Sequence, residues 1–106
     1  MPFPFDDVST TRVRHALCLT YPVGPYNHVV LAFITSRVPE DFLESDLLVQ
    51  GSDQGFPATG LWVTSTVRLS RLMTVALSLV QRELGALPDA LMAQMSGKLR
   101  RLFELA

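Results

Sequence analysis

Basic side chains directly precede one of the longer apolar runs of the chain. Within residues 11–20 the second half is largely apolar, while the first half carries Arg12, Arg14 and His15. An arginine is always charged, and its planar fork of donors suits a phosphate or a carboxylate. We predict a strand from Arg12 to Thr20 whose apolar half is anchored in the core and whose basic end is held in place by that anchor.

The second apolar run, Val29–Ile34, is followed directly by Thr35, Ser36 and Arg37. Its six residues are rich in β-branched and aromatic types, a pattern typical of a strand buried on both faces. We expect the polar end of this strand to meet the basic end of the first strand. The two ends together would form one site for an anionic substrate.

Shorter apolar segments predict further strands separated by turns. Phe3 and Phe5 alternate with prolines, which keep the chain extended, and they predict the end of a strand. Leu47–Val49 and Leu61–Val67 predict two more strands. Glycine, proline and small polar residues between these segments predict the turns.

The last third of the chain holds one ambiguous segment and one clear helix. Residues 69–84 fit a helical stripe and an alternating strand equally well, so the local pattern leaves both open. Pro88 occupies a favoured first-turn position, and Asp89 complements that end of the helix dipole. Apolar residues then recur at three- and four-residue steps, which predicts an amphipathic helix to near the C-terminus. This order predicts a mainly β fold, a small antiparallel sheet or barrel capped by a helix, in a single domain over residues 1–106.

Composition narrows the class of protein. The 106 residues are 48% hydrophobic and 18% charged, which is typical of a globular domain. The apolar tracts are interrupted and the start resembles no signal peptide, so we expect no membrane span and a cytoplasmic location. The single cysteine, Cys18, excludes an intramolecular disulfide. Two histidines without neighbouring ligands suggest no metal site, and no cofactor is expected.

Charge is unevenly distributed along the chain. The formal net charge of −1 argues against a protein that coats nucleic acid non-specifically. Residues 37–60 carry five acidic side chains against Arg37 alone, whereas residues 61–106 are basic overall. This pattern predicts solvated faces for most of these charges.

Five segments, taken in order, resemble a known family. They are the start Pro2–Phe5 with the two aspartates after it, the basic strand Arg12–Leu17, the apolar strand Val30–Ser36, the segment Ser65–Val75 and the helix entry Arg82–Pro88. In this order and spacing they resemble the PemK/MazF toxins of toxin-antitoxin systems. The resemblance implies an SH3-like small barrel with a C-terminal helix. It also implies strands around Leu72–Val75 and Val80–Gly85.

The resemblance further implies an activity and its partners. It implies an endoribonuclease that needs no metal and cuts single-stranded RNA at short sequences. It also implies a homodimer and a small cognate antitoxin that neutralises the toxin. By position, Arg14 matches the family's catalytic arginine, and Thr35 or Ser36 matches its catalytic hydroxyl. The candidate RNA-binding residues are Arg12, Arg37, His15 and His28, with solvated surface or packing as the alternative for each.

Two departures from the family pattern bear on activity. The family has residues of a further strand before the segment that opens this chain, and His15 stands where the family has proline. One alternative is therefore a truncated or inactive relative that serves as a dimerisation or antitoxin-binding module. Another is a gyrase-directed toxin of the same architecture.

Three aromatic side chains are candidates for stacking on RNA bases, namely Tyr21, Tyr26 and Trp62. Trp62 lies between Leu61 and Val63, so a position in the core fits its sequence context equally well. The sequence pattern leaves both interpretations of Trp62 open.

Overall fold

The computed structural model describes residues 2–4, 13–80 and 83–105, with side chains from residue 15 onwards. Five strands, one α-helix and two short 3-10 turns make up the regular structure of these residues. The strands are β1 (Pro2–Pro4), β2 (Val13–Cys18), β3 (His28–Thr35), β4 (Asp46–Val49) and β5 (Ser65–Ala76), and the helix is α1 (Asp89–Leu102). The 3-10 turns are Phe56–Thr59 and Leu77–Leu79. The mainly β fold with a C-terminal helix is confirmed.

All strand pairs are antiparallel, and the order across the sheet is β1-β2-β3-β5-β4. β3 is buried on both faces, as its unbroken apolar run predicts, because its side chains alternate between two hydrophobic clusters. Leu31 belongs to one cluster with Val29 and Val75, and Ala32 belongs to the other. This central strand therefore contributes side chains to both clusters.

β5 differs from its predicted bounds at both ends. It begins at Ser65, so Leu61–Thr64 of the predicted strand lie outside it, and it continues to Ala76 through the segment that the pattern left ambiguous. The strand expected around Leu72–Val75 is confirmed. β5 lies between β3 and β4, and pairing on both sides satisfies its backbone groups as a strand.

The strand expected around Val80–Gly85 is absent from the described residues of that segment; residues 81 and 82 lie outside the described part. The backbone here packs closely against the first 3-10 turn. A Cβ built on Gly85 would lie 2.1 Å from the carbonyl oxygen of Ala58. The next residue, Ala86, donates its N–H to that same oxygen at 3.0 Å. This close approach holds the segment as an irregular link to α1.

α1 covers one face of the sheet. Pro88 is its N-cap and Asp89 is its first residue, as the sequence predicts within one position. Leu91 and Met95 are the buried residues of the helix, and they pack in the same cluster as Leu47 and Val67. The helix thus closes the larger of the two hydrophobic clusters.

Candidate functional site

The polar ends of β2 and β3 lie at the same end of the sheet, as their sequence layout predicts. Ala16 pairs with Phe33 in antiparallel register. Arg14 precedes Ala16 by two residues and Thr35 follows Phe33 by two, so both lie beyond this pair in the same direction. The backbone therefore brings the basic start of one strand next to the hydroxyl-bearing end of the other.

A cavity of about 470 Å³ opens beside the end of β3. Its lining combines one hydroxyl, three arginines and an apolar floor. The lining residues are Phe33, Ile34, Thr35, Arg37, Pro39, Arg68, Arg71 and Leu72. An apolar cleft with a few convergent polar groups is the usual form of a ligand site.

A break in the register of β5 shapes this cavity. Ala32 pairs with Leu72, but its neighbour Phe33 pairs with Arg68, so residues 69–71 have no opposite residue on β3. Such bulges bend a strand and redirect its side chains, and they are common beside active sites. Here the extra residues place Arg71 on the cavity wall with Arg68.

Arg68 is anchored in the sheet by two carboxylates. Its Nε donates to Oδ1 of Asp46 at 3.0 Å, and its Nη1 lies 3.5 Å from Oδ1 of Asp41. Asp46 is fully buried, and its other carboxylate oxygen accepts the backbone N–H of Leu43 at 2.9 Å. Burial alone lowers the pKa of Arg68, but the hydrogen bond to Asp41 and the charges of both aspartates outweigh burial and raise it. The guanidinium is therefore a fixed positive charge at the cavity.

Arg37 and Arg71 are exposed on the same cavity. Neither forms an ion pair with any carboxylate in the described part of the chain. Two unpaired arginines beside an anchored one create a local positive potential on a chain of net charge −1. The cavity is thus suited to a polyanion that carries more than one phosphate.

The other predicted site residues lie at varying distances from this cavity. Ser36 is exposed in the bend after β3, and His15 is exposed on β2 next to Arg14. Arg12 lies outside the described residues, and Arg14 is placed by its backbone in β2. His28 opens β3, seven residues before Thr35, which corresponds to about 23 Å along the strand. Its ring packs edge-on against Tyr26, with the centroids 6.2 Å apart.

Sequence reasoning missed Arg68 and Arg71 as site residues. Arg68 directly follows the predicted strand Leu61–Val67, and Arg71 lies in the segment whose pattern fits helix and strand equally, so the local sequence does not place them near Thr35. An arginine inside a run of apolar residues was the available signal, because such a charge is rarely buried without a partner. The partners, Asp41 and Asp46, lie 27 and 22 residues earlier in the chain.

Comparison with protein-family models identifies the family of this chain. Residues 3–103 match the model of the PemK-like, MazF-like toxin of type II toxin-antitoxin systems. The chain belongs to this family. The family predicted from five sequence segments is therefore confirmed over nearly the whole chain.

Solved structures of MazF-like toxins share the fold of this chain. The Mycobacterium tuberculosis toxin MazF-mt6 is 22% identical with a TM-score of 0.71, and 91% of each chain is covered. A second Mtb toxin is 20% identical with a TM-score of 0.68, over 95% of this chain and 98% of the other. No curated protein matches the sequence significantly. Within the described residues, no helix of this PemK/MazF-family chain has the length and apolar character to cross a membrane.

Proposed function

We propose that this chain is the toxin of a toxin-antitoxin pair and acts as an endoribonuclease that cuts single-stranded RNA without a metal ion. The observation that carries the proposal is the cavity at the end of β3. It holds a hydroxyl, Thr35, and three arginines at the end of the sheet where the strand of Arg14 begins. The phosphates of RNA are the abundant polyanion whose geometry suits arginine.

The reaction follows from the chemistry of RNA. The ribose 2′-hydroxyl attacks the adjacent phosphorus, so a 2′-O–P bond forms and the P–O5′ bond breaks. The 2′-hydroxyl loses its proton, and the leaving 5′-oxygen gains one. The products are a 2′,3′-cyclic phosphate and a free 5′-hydroxyl. The protein must assist both proton transfers and stabilise the negative charge that grows on the phosphate.

In the proposed mechanism, Arg14 stabilises the charge on the reacting phosphate. Thr35 or Ser36 hydrogen-bonds a phosphate oxygen or assists the leaving oxygen. Arg37, Arg68 and Arg71 hold the neighbouring phosphates, and His15 extends this surface along β2. Arg12, outside the described residues, is a further RNA-binding candidate from its sequence position. The position of His28 at the far end of β3 supports a role in packing with Tyr26 rather than at the reacting phosphate.

Family membership also implies partners. A type II toxin has a cognate antitoxin, and we propose that the antitoxin binds as an extended acidic segment across the arginine-lined surface. Assembly as a homodimer and a cytoplasmic location remain predictions. Light scattering of the purified chain tests the first, and fractionation of expressing cells tests the second.

Cleavage of a long single-stranded RNA in the presence of EDTA tests the proposal. The wild type and Arg100→Ala, a control that removes an exposed arginine from α1, should give discrete fragments with 2′,3′-cyclic ends. Arg14→Ala and Thr35→Val should be slower by about 100-fold or more, the usual loss when a group that stabilises transition-state charge is removed. Intact RNA with folded wild type would overturn the ribonuclease assignment. Cleavage that requires Mg²⁺ would overturn the metal-free mechanism.

A further inference from the structure

Trp62 is the only tryptophan of the chain, and its side chain is 94% exposed. Val63 beside it is also exposed. An indole is among the largest apolar groups that a protein can bury, so leaving it in water forgoes a substantial hydrophobic gain. Packing within the chain therefore does not account for the exposed indole, and a binding role could.

The loop that carries Trp62 is held on both sides. Gly60, at φ +75°, passes so close to the backbone of Leu84 that an added Cβ would lie 2.4 Å from its carbonyl oxygen. Three hydrogen bonds then fix the residues around the indole: Leu61 N–H to Thr59 Oγ1 at 3.1 Å, Ser65 O–H to the carbonyl of Val63 at 2.9 Å, and Gly51 N–H to Thr64 Oγ1 at 2.9 Å. An exposed ring on a braced loop loses little conformational freedom when a ligand binds.

The indole lies at the same end of the sheet as the arginine-lined cavity. Trp62 precedes β5 by three residues, and Thr66 of β5 pairs directly with Thr35. Four residues of chain span at most about 14 Å, so Trp62 is within a few nucleotides of the cavity. Tyr21 is 91% exposed but lies beside the opposite end of β3, where Val23 bridges to His28.

We propose that Trp62 stacks on a base of the single-stranded RNA that flanks the scissile phosphate. This inference rests on the proposed function and adds a residue that binds substrate. Aromatic rings bind unpaired bases of any sequence through the π face, whereas arginines bind the phosphates between them. A fixed aromatic ring near a cluster of arginines matches the alternation of bases and phosphates in single-stranded RNA, whereas an acidic peptide would match the arginines but offer no base to the indole.

Intrinsic fluorescence provides a direct test, because Trp62 is the only indole in the chain. The probe is a single-stranded oligonucleotide with 2′-O-methyl groups, which cannot be cut by 2′-hydroxyl attack. Saturating amounts should quench the wild-type emission, and the same sequence as a duplex should quench it far less. Acrylamide should quench the RNA-free protein efficiently. An indole already shielded from acrylamide would mean that a second copy covers it, and this would overturn the proposal.

Substitution of Trp62 provides a second test of the stacking role. Trp62→Ala should weaken binding of the oligonucleotide by roughly 5- to 150-fold and raise KM for a cleavable RNA with little change in kcat. Trp62→Phe should restore most of the affinity because it keeps an aromatic ring. Tyr21→Ala, the matched loss of an exposed ring at the far end of the sheet, should bind as the wild type does.

The outcomes separate this inference from the proposed function. If the wild type cuts RNA but shows no quenching and Trp62→Ala behaves normally, the stacking role is overturned and the ribonuclease assignment stands. If the wild type binds with quenching but cuts no RNA, the stacking role is supported and catalysis is overturned. If RNA neither binds nor is cut, while only a protein partner quenches the indole, both proposals are overturned.

Discussion

At the scale of single residues, the pair Arg68–Asp46 shows how a charge is kept beneath a ligand site. Both side chains are nearly or fully inaccessible, and they hydrogen-bond across adjacent strands at 3.0 Å. A buried ion pair adds little net stability, but removal of one partner leaves an uncompensated charge in the interior. The pair therefore matters most for where it holds the guanidinium.

We predict that Asp46→Ala lowers the free energy of unfolding by about 3–5 kcal/mol, because it leaves the buried charge of Arg68 without its buried partner. Asp41→Ala is the matched control, because the Asp41 carboxylate is 71% exposed and lies 3.5 Å from Arg68. This variant should lower the free energy of unfolding by about 1 kcal/mol or less. Urea unfolding followed by circular dichroism measures both. The double variant Asp46→Leu with Arg68→Met should recover much of the loss. Equal midpoints for the two single variants would contradict the interpretation.

At the scale of secondary-structure elements, two glycines differ in how closely neighbouring segments pack around them. Position 85 has no room for a side chain, because a Cβ added to Gly85 would lie less than 3 Å from the backbone of Ala58 and Thr59. Gly97 lies inside α1, where an added Cβ would meet only Arg101 Nη1 at 3.6 Å, an ordinary contact. The same substitution should therefore act in opposite directions at the two sites.

We predict that Gly97→Ala stabilises the protein by about 0.5–1 kcal/mol, since alanine reduces the backbone entropy lost when the helix forms. Gly85→Ala should destabilise by about 1–3 kcal/mol, the usual cost of overpacking. Thermal unfolding detects both, because 1 kcal/mol shifts the Tm of a domain of this size by about 4–8 °C. A lower Tm for Gly97→Ala, or an unchanged Tm for Gly85→Ala, would show that the packing differs from that described.

At the scale of the whole molecule, ion pairs cancel much of the charge asymmetry of the sequence. In the acidic segment of residues 37–60, Asp41 and Asp46 form ion pairs with Arg68. Glu44 forms an ion pair with Arg101, and its backbone carbonyl accepts a hydrogen bond from Lys98 Nζ. Most charged side chains of the described residues are exposed, as the sequence predicts, and Asp46 and Arg68 are the buried exceptions. The ion pairs and the Lys98 hydrogen bond tie the acidic segment to β5 and α1, whereas Arg37 and Arg71 at the cavity form no ion pair with any residue that the structure describes.

We predict that RNA affinity depends on salt through this local cluster despite the net charge of −1. Each arginine that contacts a phosphate should contribute about −0.7 to the slope of log K against log salt for single strands. Arg71→Ala should therefore reduce the slope by about that amount, measured with the uncleavable oligonucleotide. Arg100→Ala removes an exposed arginine of α1 that lines no part of this cavity and forms no ion pair among the described residues, and it should leave the slope unchanged. Equal slopes for all three proteins would place the RNA elsewhere.

The sequence by itself determined the elements that depend on local pattern. β3 followed from an unbroken apolar run, and α1 followed from its cap residues and three- to four-residue apolar period. The strand ends of β2 and β3 were expected to meet because each run stops at polar residues, and antiparallel pairing brought them together. Local order and spacing were also enough to identify the family.

Only the tertiary structure decided burial where the local sequence allows two outcomes. Arg68 lies among apolar residues and is buried, because Asp46, distant in sequence, pairs with its charge. Trp62 also lies among apolar residues but is exposed, on a loop held by contacts that are distant in sequence: Gly51 donates its N–H to Thr64 Oγ1, and Gly60 lies against the backbone of Leu84. Residues 72–76 form a strand because β3 lies beside them to pair with their backbone. Each outcome depends on a partner far along the chain, and local pattern carries no information about such partners.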